Sequence, residues 1–113
     1  MANGKFEIFQ SKKNSEYYFR LKAGNGEPIL RSEGYKSKQG CTNGVNSVKT
    51  NAPNDGRYER KDKDGKSFSF NLKAGNGEVV GSSESYSSAS ARDNGIDAVK
   101  RVAPEAAIVD VDD

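Results

Sequence analysis

The stretch Phe19-Arg20-Leu21-Lys22-Ala23-Gly24-Asn25-Gly26-Glu27 occurs twice in this chain, and its repetition decides the fold. The second copy, Phe70-Asn71-Leu72-Lys73-Ala74-Gly75-Asn76-Gly77-Glu78, lies 51 residues further on. Further matches keep that spacing: Ser32-Glu33 with Ser83-Glu84, Asn43-Gly44 with Asn94-Gly95, and Ala52-Pro53 with Ala103-Pro104. Self-similarity at a fixed period indicates a repeat architecture, so the 113 residues are predicted to hold two copies of one small unit.

The repeated stretch alternates in a way that predicts a half-buried β-strand. Tyr17, Phe19 and Leu21 fall on one side and Tyr18, Arg20 and Lys22 on the other. The Gly-Asn-Gly that follows favours a tight hairpin, because Gly and Asn accept a positive φ. We expect a first strand at about residues 5–10 and 57–62, and a third at about residues 28–33 and 79–84.

A helix is predicted to close each unit. Ser37 and Ser88 are suited to cap the helices at their N-termini, and Pro53 and Pro104 end them. The apolar positions of the first helix lie on one helical face, and the second repeats this face. These positions are Cys41, Val45, Val48 and Ala52 in the first helix and Ile96, Val99 and Ala103 in the second. A β-branched run at residues 106–111 predicts a last strand.

The predicted fold class is therefore α+β: two tandem β-β-β-α repeats plus a C-terminal strand. Repeat 1 covers about residues 4–53, repeat 2 about residues 56–104 and the last strand about residues 106–111. Only 33% of the residues are hydrophobic, too few for two independent small cores. We expect one domain, residues 1–113, in which one antiparallel sheet has both helices on the same face.

The repeated Phe-x-Leu-Lys-Ala-Gly-Asn-Gly-Glu, with Ser-Glu-x-Tyr and Asn-Gly-(Val/Ile)-x-(Ser/Ala)-Val-Lys after it, resembles the YegP-like family of small bacterial proteins. The resemblance covers nearly the whole chain. It implies a pseudo-twofold symmetric fold in which the strand after each helix is exchanged onto the other repeat, as dimerisation achieves in single-unit members. It implies no biochemical activity.

Composition narrows the possible functions. The chain has no histidine, which removes the commonest general base and the commonest zinc ligand. Its single cysteine, Cys41, excludes an intrachain disulfide. The net charge of +2 does not by itself point to nucleic acid or a membrane. No long apolar stretch or signal peptide is evident, so we expect a cytoplasmic protein without a cofactor or a metal.

Three sets of residues could in principle carry chemistry, but each has a simpler interpretation. The Gly-Asn-Gly loops join strand to strand, whereas phosphate-binding loops lead into a helix N-terminus. Cys41 shares the spacing of the buried helix face and has no histidine to activate it. Four glutamates could pair as acid and base, but solvated strand ends explain them as well; they are Glu27, Glu33, Glu78 and Glu84.

The remaining candidate is the sheet face away from the helices. Tyr18, Arg20 and Lys22 are predicted to lie there, where the second repeat has Ser69, Asn71 and Lys73. We expect a non-enzymatic interaction or structural module, monomeric, whose partner, a protein, touches Tyr18, Arg20 and Lys22. The alternative is weak nucleic-acid binding through the same face, in which aromatic rings stack on bases while Arg20, Lys22 and Arg31 meet phosphates. The burial expected for Tyr17 and Phe19 disfavours it, because only the Tyr18 ring would remain exposed.

Overall fold

Each repeat folds into three strands and a helix, as predicted. The computed structural model describes residues 4–111. The first repeat has β1 (Lys5–Gln10), β2 (Tyr17–Lys22), β3 (Pro28–Arg31) and α1 (Lys38–Asn51). The second has β4 (Tyr58–Lys63), β5 (Ser67–Lys73), β6 (Val79–Ser82) and α2 (Ala89–Val102), and β7 (Ala107–Asp110) follows. Short 3₁₀ turns at Asp55–Arg57 and Ala103–Glu105 lead into β4 and β7.

The seven described strands join one sheet in the order β4-β5-β6-β3-β2-β1-β7. β3 meets β6 at the centre, so a pseudo-twofold axis perpendicular to the sheet relates β1-β2-β3 to β4-β5-β6. The strand after α1 pairs with β5, and the strand after α2 crosses back to pair with β1. The α+β fold class and the exchange of strands between repeats are confirmed.

The sheet is mixed rather than wholly antiparallel, because β7 runs parallel to β1. The pseudo-twofold axis explains this direction. The axis maps β4, the strand after α1, onto β1. The strand after α2, β7, therefore runs in the same direction as β1. Since β1 occupies the matching position, β7 adds beside it as a parallel neighbour. Repeat symmetry, more than hairpin pairing, therefore sets the direction of the last strand.

The two repeats share one core between the helices and the sheet. Its largest fully buried side chains come from both repeats and include Phe6, Phe19, Leu21, Phe70, Leu72 and Ile96. The apolar stripe predicted on each helix is buried against them. Each helix also crosses the axis, because α1 packs on β5 and β6 and α2 packs on β3. Neither stripe would be fully covered by its own repeat.

At the axis the repeats differ because two large side chains would not fit there. Leu30 of β3 is buried, and the equivalent residue of β6 is Gly81. A Cβ atom on Gly81 would lie 2.6 Å from a methyl carbon of Leu30, far closer than van der Waals contact. One leucine therefore fills the space that symmetry would otherwise give to two side chains.

The third strands end two residues earlier than predicted, where a serine hydroxyl takes the place of one backbone carbonyl in the ladder. The Ser32 hydroxyl accepts a hydrogen bond from the Phe19 N–H at 2.9 Å. The Ser83 hydroxyl does the same for the Phe70 N–H at 3.0 Å. With the strand partner satisfied by a side chain, the backbone turns away toward the helix.

The predicted caps and turns are confirmed. Ser37 and Ser88 accept hydrogen bonds from backbone N–H groups in the first turns of α1 and α2. Gly26 and Gly77 have φ of 86° and 87°, the left-handed region that favours glycine. The hairpins therefore depend on these glycines.

The two edge strands of the sheet within residues 4–111 differ in their side chains. β7, beside β1, exposes Ile108 and Val109, whereas β4 carries charged side chains. There Arg60 pairs with Asp55 at 3.0 Å and with Asp93 at 3.5 Å, and Arg92 donates to the Lys61 carbonyl at 3.4 Å. Charged side chains on an edge strand disfavour pairing with another sheet.

A tyrosine ring packs between part of each helix and the sheet. The Tyr35 and Phe19 rings are stacked, with centroids 6.3 Å apart. α1 passes over the Tyr35 ring at Gly44, where a Cβ atom would overlap the tyrosine hydroxyl. Tyr86 and Gly95 repeat this contact in the second unit. The glycine of each repeated Asn-Gly therefore permits a close approach of the helix to the ring.

We expect Gly44→Ala to destabilise the fold by about 1–3 kcal/mol, because the added methyl group overpacks the contact with Tyr35. Gly40→Ala in the same helix is the control. Its Cβ atom would lie 3.3 Å from the Ser37 hydroxyl and in ordinary contact with the Tyr35 ring at 3.6 Å, and alanine is the better helix former. Urea denaturation of both variants measures the difference. A Gly44→Ala protein as stable as the Gly40→Ala protein would contradict this packing.

Candidate functional site

The sheet face away from the helices carries a row of polar side chains that crosses six strands. Residues directly opposite each other on neighbouring strands project to the same face, about 5 Å apart. Reading from β1 to β4, the register aligns Glu7, Arg20, Arg31, Ser82, Asn71 and Glu59. We call the face on which these six residues lie the open face.

In the first repeat the row is built around a buried carboxylate. Glu7 is only 5% exposed, although it lies on the open face. Its carboxylate oxygens lie 2.7 Å from Arg20 Nε, 3.2 Å from Lys22 Nζ and 3.5 Å from Lys5 Nζ. The hydrogen bond from Arg20 is the main reason that the pKa of Glu7 is lowered, against the opposing effect of burial. Glu7 is therefore an anion that holds three cations in place.

The burial of Glu7 depends on the exchanged strand. Val109 of β7 is directly opposite Glu7 and projects to the same face. Its side chain stands at the edge, with 37% of the residue exposed. β7 thus shields one side of the carboxylate, while β2 supplies its partners on the other.

The second repeat keeps the row without the burial. Ser82 donates to the Asn71 side-chain oxygen at 2.9 Å, and Asn71 Nδ2 donates to Glu59 at 3.1 Å. Lys73 lies 3.5 Å from the same carboxylate. Glu59 is at the sheet edge, and its side chain is 44% exposed. The two halves of the open face therefore differ in chemistry: the first is built around a buried ion-pair cluster, and the second around a hydrogen-bonded row that ends in an exposed carboxylate.

An aromatic pair stands beside the row. Phe9 and Tyr18 are opposite each other on β1 and β2, with ring centroids 5.8 Å apart and planes inclined by 18°. The Arg20 guanidinium lies 4.5 Å from the centroid of the Phe9 ring. Asn14 donates to the Tyr18 hydroxyl at 2.9 Å. The rings are therefore held in a fixed position next to the cations.

A cavity of about 530 Å³ opens on this face where the repeats meet. Phe9 and Tyr18 line it, with Arg20, Arg31, Ser82 and Glu84. Arg31 is exposed and, within residues 4–111, forms no ion pair or side-chain hydrogen bond. The cavity therefore combines an apolar wall with a guanidinium that has no carboxylate partner in the described chain.

The three residues predicted to form a partner surface, Tyr18, Arg20 and Lys22, lie together on the open face. Arg20 and Lys22 also have a structural role, because both bind Glu7. Contact of a partner with the three stays a prediction.

Two other residues of the face, Glu7 and Phe9, had no predicted role. The alternation of Lys5, Glu7 and Phe9 in β1 could have placed both on this face. The alternation does not indicate that Glu7 is buried, because β7 lies far away in the sequence. Arg31 was named only among the cations of the nucleic-acid alternative, and its place on the open face was not predictable, because the register shift between Leu21 and Lys22 interrupts the alternation in β3.

The simpler interpretations agree with the geometry at the other candidates. In the first Gly-Asn-Gly turn the Gly26 N–H bonds to the Ala23 carbonyl, and the Asn25 side chain accepts from the Glu27 N–H. These donors already serve the turn. Cys41 is fully buried, and burial raises the pKa of its thiol to about 11. The four glutamates considered as acid and base are all exposed, and of these only Glu84 lines the cavity.

The described residues contain neither a metal-binding cluster nor a membrane-spanning helix. Within residues 4–111, no group of three or more Cys, Asp and Glu side chains is placed to hold a metal ion. Neither α1 nor α2 is long and apolar enough to cross a membrane.

Comparison with known protein families gives two matches along the chain. Residues 12–59 and 62–110 both match the model of a domain of unknown function, DUF1508. Each matched segment ends in the strand that follows its helix, β4 in the first and β7 in the second. The chain therefore contains two copies of the domain that the family model describes.

Similar proteins are found in several bacteria. The chain is 59% identical to a UPF0339 protein in the ptx operon 5′ region of Stutzerimonas stutzeri, covering 96% of this chain and 97% of that one. It is 47% identical to the UPF0339 protein YegP of Escherichia coli K12, covering 86% and 87%. None of these names states a function.

Two solution NMR structures have the same fold. A UPF0339 protein from Shewanella oneidensis has a TM-score of 0.90 at 44% identity, covering 97% of this chain and 92% of that one. The YegP protein from E. coli, described as a protein of unknown function, has a TM-score of 0.91 at 41% identity, covering 99% and 96%.

We expect Glu7→Gln to destabilise the fold by about 2 kcal/mol at neutral pH, because hydrogen bonds to charged groups contribute about 1.5–3 kcal/mol. The pKa of Glu7 is lowered in the folded state. Its stabilisation is therefore present above the ordinary carboxyl pKa and is lost as the pH falls through the folded-state pKa. Urea titrations at about pH 7 and about pH 3 should show the difference from wild type narrowing in acid.

Glu59→Gln is the matched control, because it changes the equivalent but exposed carboxylate. Exposed sites usually alter stability by about 0.5 kcal/mol or less. Equal losses in the two variants, or a loss for Glu7→Gln that persists unchanged in acid, would contradict the role assigned to Glu7.

Proposed function

This chain belongs to the DUF1508 family, as its resemblance to YegP-like proteins predicts, and we propose that it is a non-enzymatic binding module for an anionic ligand. The ligand docks on the open face, at the cavity lined by Phe9, Tyr18, Arg20 and Arg31. No function is carried over from the relatives. The proposal is based on the chemistry of this face alone.

The unpaired charge of Arg31 carries the proposal. Arg31 is directly opposite Arg20 on the neighbouring strand, and like charges at such positions destabilise a sheet. Arg20 is neutralised by Glu7. Within residues 4–111 no carboxylate forms an ion pair with Arg31, not even Glu84, which lines the same cavity. An anion bound in the cavity would supply the missing negative charge. The arrangement favours a ligand over a purely structural role for this arginine.

The pKa shifts of one thiol and three carboxyl groups favour a binding role over a catalytic one. A thiolate is the reactive form of cysteine, and burial disfavours it at Cys41. Cations or amides lower the pKa of Glu7, Glu59 and Asp55. Carboxylates with a lowered pKa are weak general bases near neutral pH.

We further propose that the protein acts as a monomer in the cytoplasm. The pseudo-twofold arrangement already joins two repeats in one sheet, and the charges on β4 disfavour edge-to-edge pairing with another copy. The buried thiol of Cys41 fits a reducing compartment. A protein partner with an acidic segment would satisfy the same face.

Arg31→Gln should weaken binding of a fluorescein-labelled heparin oligosaccharide about tenfold, as the loss of a charge-assisted hydrogen bond predicts. Arg101→Gln, an equal charge change at an exposed site on α2, is the control and should bind like wild type. Thermal midpoints of both variants should stay at or above that of wild type, since Arg31→Gln relieves a like-charge pair. Equal affinity of the two variants for heparin would refute the proposed site.

A further inference from the structure

We propose that the anion bound by the open face is single-stranded nucleic acid, with its phosphates along the cations and one base against the Phe9–Tyr18 pair. This inference rests on the proposed function and names the class of its ligand. The net charge of +2 does not favour a nucleic-acid ligand, but the distribution of charge on the folded sheet favours one.

The cations are concentrated on the open face and spread across it. At its described strand positions the register places seven Lys and Arg side chains but only two carboxylates, Glu7 and Glu59. The whole chain has a net charge of only +2, so the other surfaces together are acidic. One face therefore attracts anions while the rest of the molecule repels them.

The width of this cationic face argues for a polymer. It runs from Lys5 on β1 to Lys61 on β4, six strands that neighbour one another at about 4.8 Å and so span roughly 24 Å. A single phosphate or carboxylate would meet only one or two of these side chains. A polyanion that crosses the strands would meet several at once and release several counterions.

The aromatic pair selects among polyanions. Bases of a single strand stack on aromatic rings, and the phosphates on either side reach nearby cations. Phe9 and Tyr18 line the cavity beside Arg20 and Arg31, so rings and cations are available to one ligand together. In a duplex the bases are already stacked within the helix and cannot lie against these rings. An acidic peptide has carboxylates for the arginines but gives the rings no comparable role.

The test is fluorescence anisotropy with the full chain at about 50 mM to about 200 mM salt. Four labelled probes are compared: RNA and DNA single strands of about eight nucleotides, a DNA duplex of the same length, and poly-glutamate of about eight residues. We expect both single strands to bind more tightly than the duplex and the poly-glutamate. Tighter binding of RNA or of DNA would indicate that the 2′-hydroxyl is recognised. Equal affinities would indicate that only the bases and phosphates are recognised. Both results support the proposal.

The variants separate stacking from charge. Tyr18→Leu removes the ring and should weaken single-strand binding about tenfold with the salt slope unchanged. Tyr18→Phe keeps the ring, loses only the bond from Asn14 and should bind like wild type. Arg31→Gln should reduce the salt slope by about one. Thermal midpoints identify any variant that has not folded. If Tyr18→Leu has not, the comparison of single strands with the duplex still tests stacking.

Several results would overturn the inference. Equal binding of duplex and single strand would refute stacking, and so would Tyr18→Leu binding as tightly as Tyr18→Phe. Tighter binding of poly-glutamate would assign the face to an acidic protein segment. In that case Arg31→Gln would still weaken heparin binding, so the proposed function would stand while this inference failed. If Arg31→Gln weakened binding of no anion, both would fail.

Discussion

The pairing of β3 with β6 at the pseudo-twofold axis is the constraint on which the rest of the structure depends. It rests on a single register pair, Arg31 with Ser82, and on Leu30 filling the space above Gly81. This pairing turns two half-sheets into one and lets each helix stripe reach across the axis for its cover. It also aligns the two halves of the open face into a continuous row. The fold and the candidate site thus follow from the same contact.

Local patterns predicted a large part of this architecture because local physics controls it. The alternation in β2 assigned Phe19 to the core and Arg20 to the open face, and Gly26 marked a turn that needs a positive φ. Interactions between distant segments were not predictable in this way. The parallel direction of β7 is set by symmetry across the whole sheet. The burial of Glu7 in turn requires β7, whose residues lie about a hundred positions away along the chain.

The candidate site was partly predictable for the same reason. Tyr18, Arg20 and Lys22 follow from the period of one strand, whereas Arg31 reaches the open face only through an irregular register in β3. The whole-chain charge was a poor guide, because folding places seven Lys and Arg side chains but only two carboxylates at the described strand positions of one face. A net charge close to zero is compatible with a strongly cationic surface when acidic residues are collected elsewhere.

The repeats have diverged according to what each position must do. Several positions in the shared core keep the same character, as Phe19 and Phe70 do, whereas Leu30 corresponds to Gly81 because only one large side chain fits at the axis. On the open face, Arg31 in one repeat corresponds to Ser82 in the other, and Tyr18 to Ser69. The first repeat therefore carries the aromatic pair and both arginines of the face, and the second supplies lysines, serines and an asparagine. This asymmetry gives a symmetric fold a single site that crosses the axis.

The most direct test of the open face as the binding surface is chemical-shift mapping of the ¹⁵N-labelled protein with a heparin oligosaccharide. We expect the largest shifts at the backbone amides of Tyr18, Arg20 and Arg31 and at the Arg31 side-chain Nε, with little change along α1 and α2. Shifts concentrated on the helices, or on the turns at Gly26 and Gly77, would contradict the assignment of function to this face.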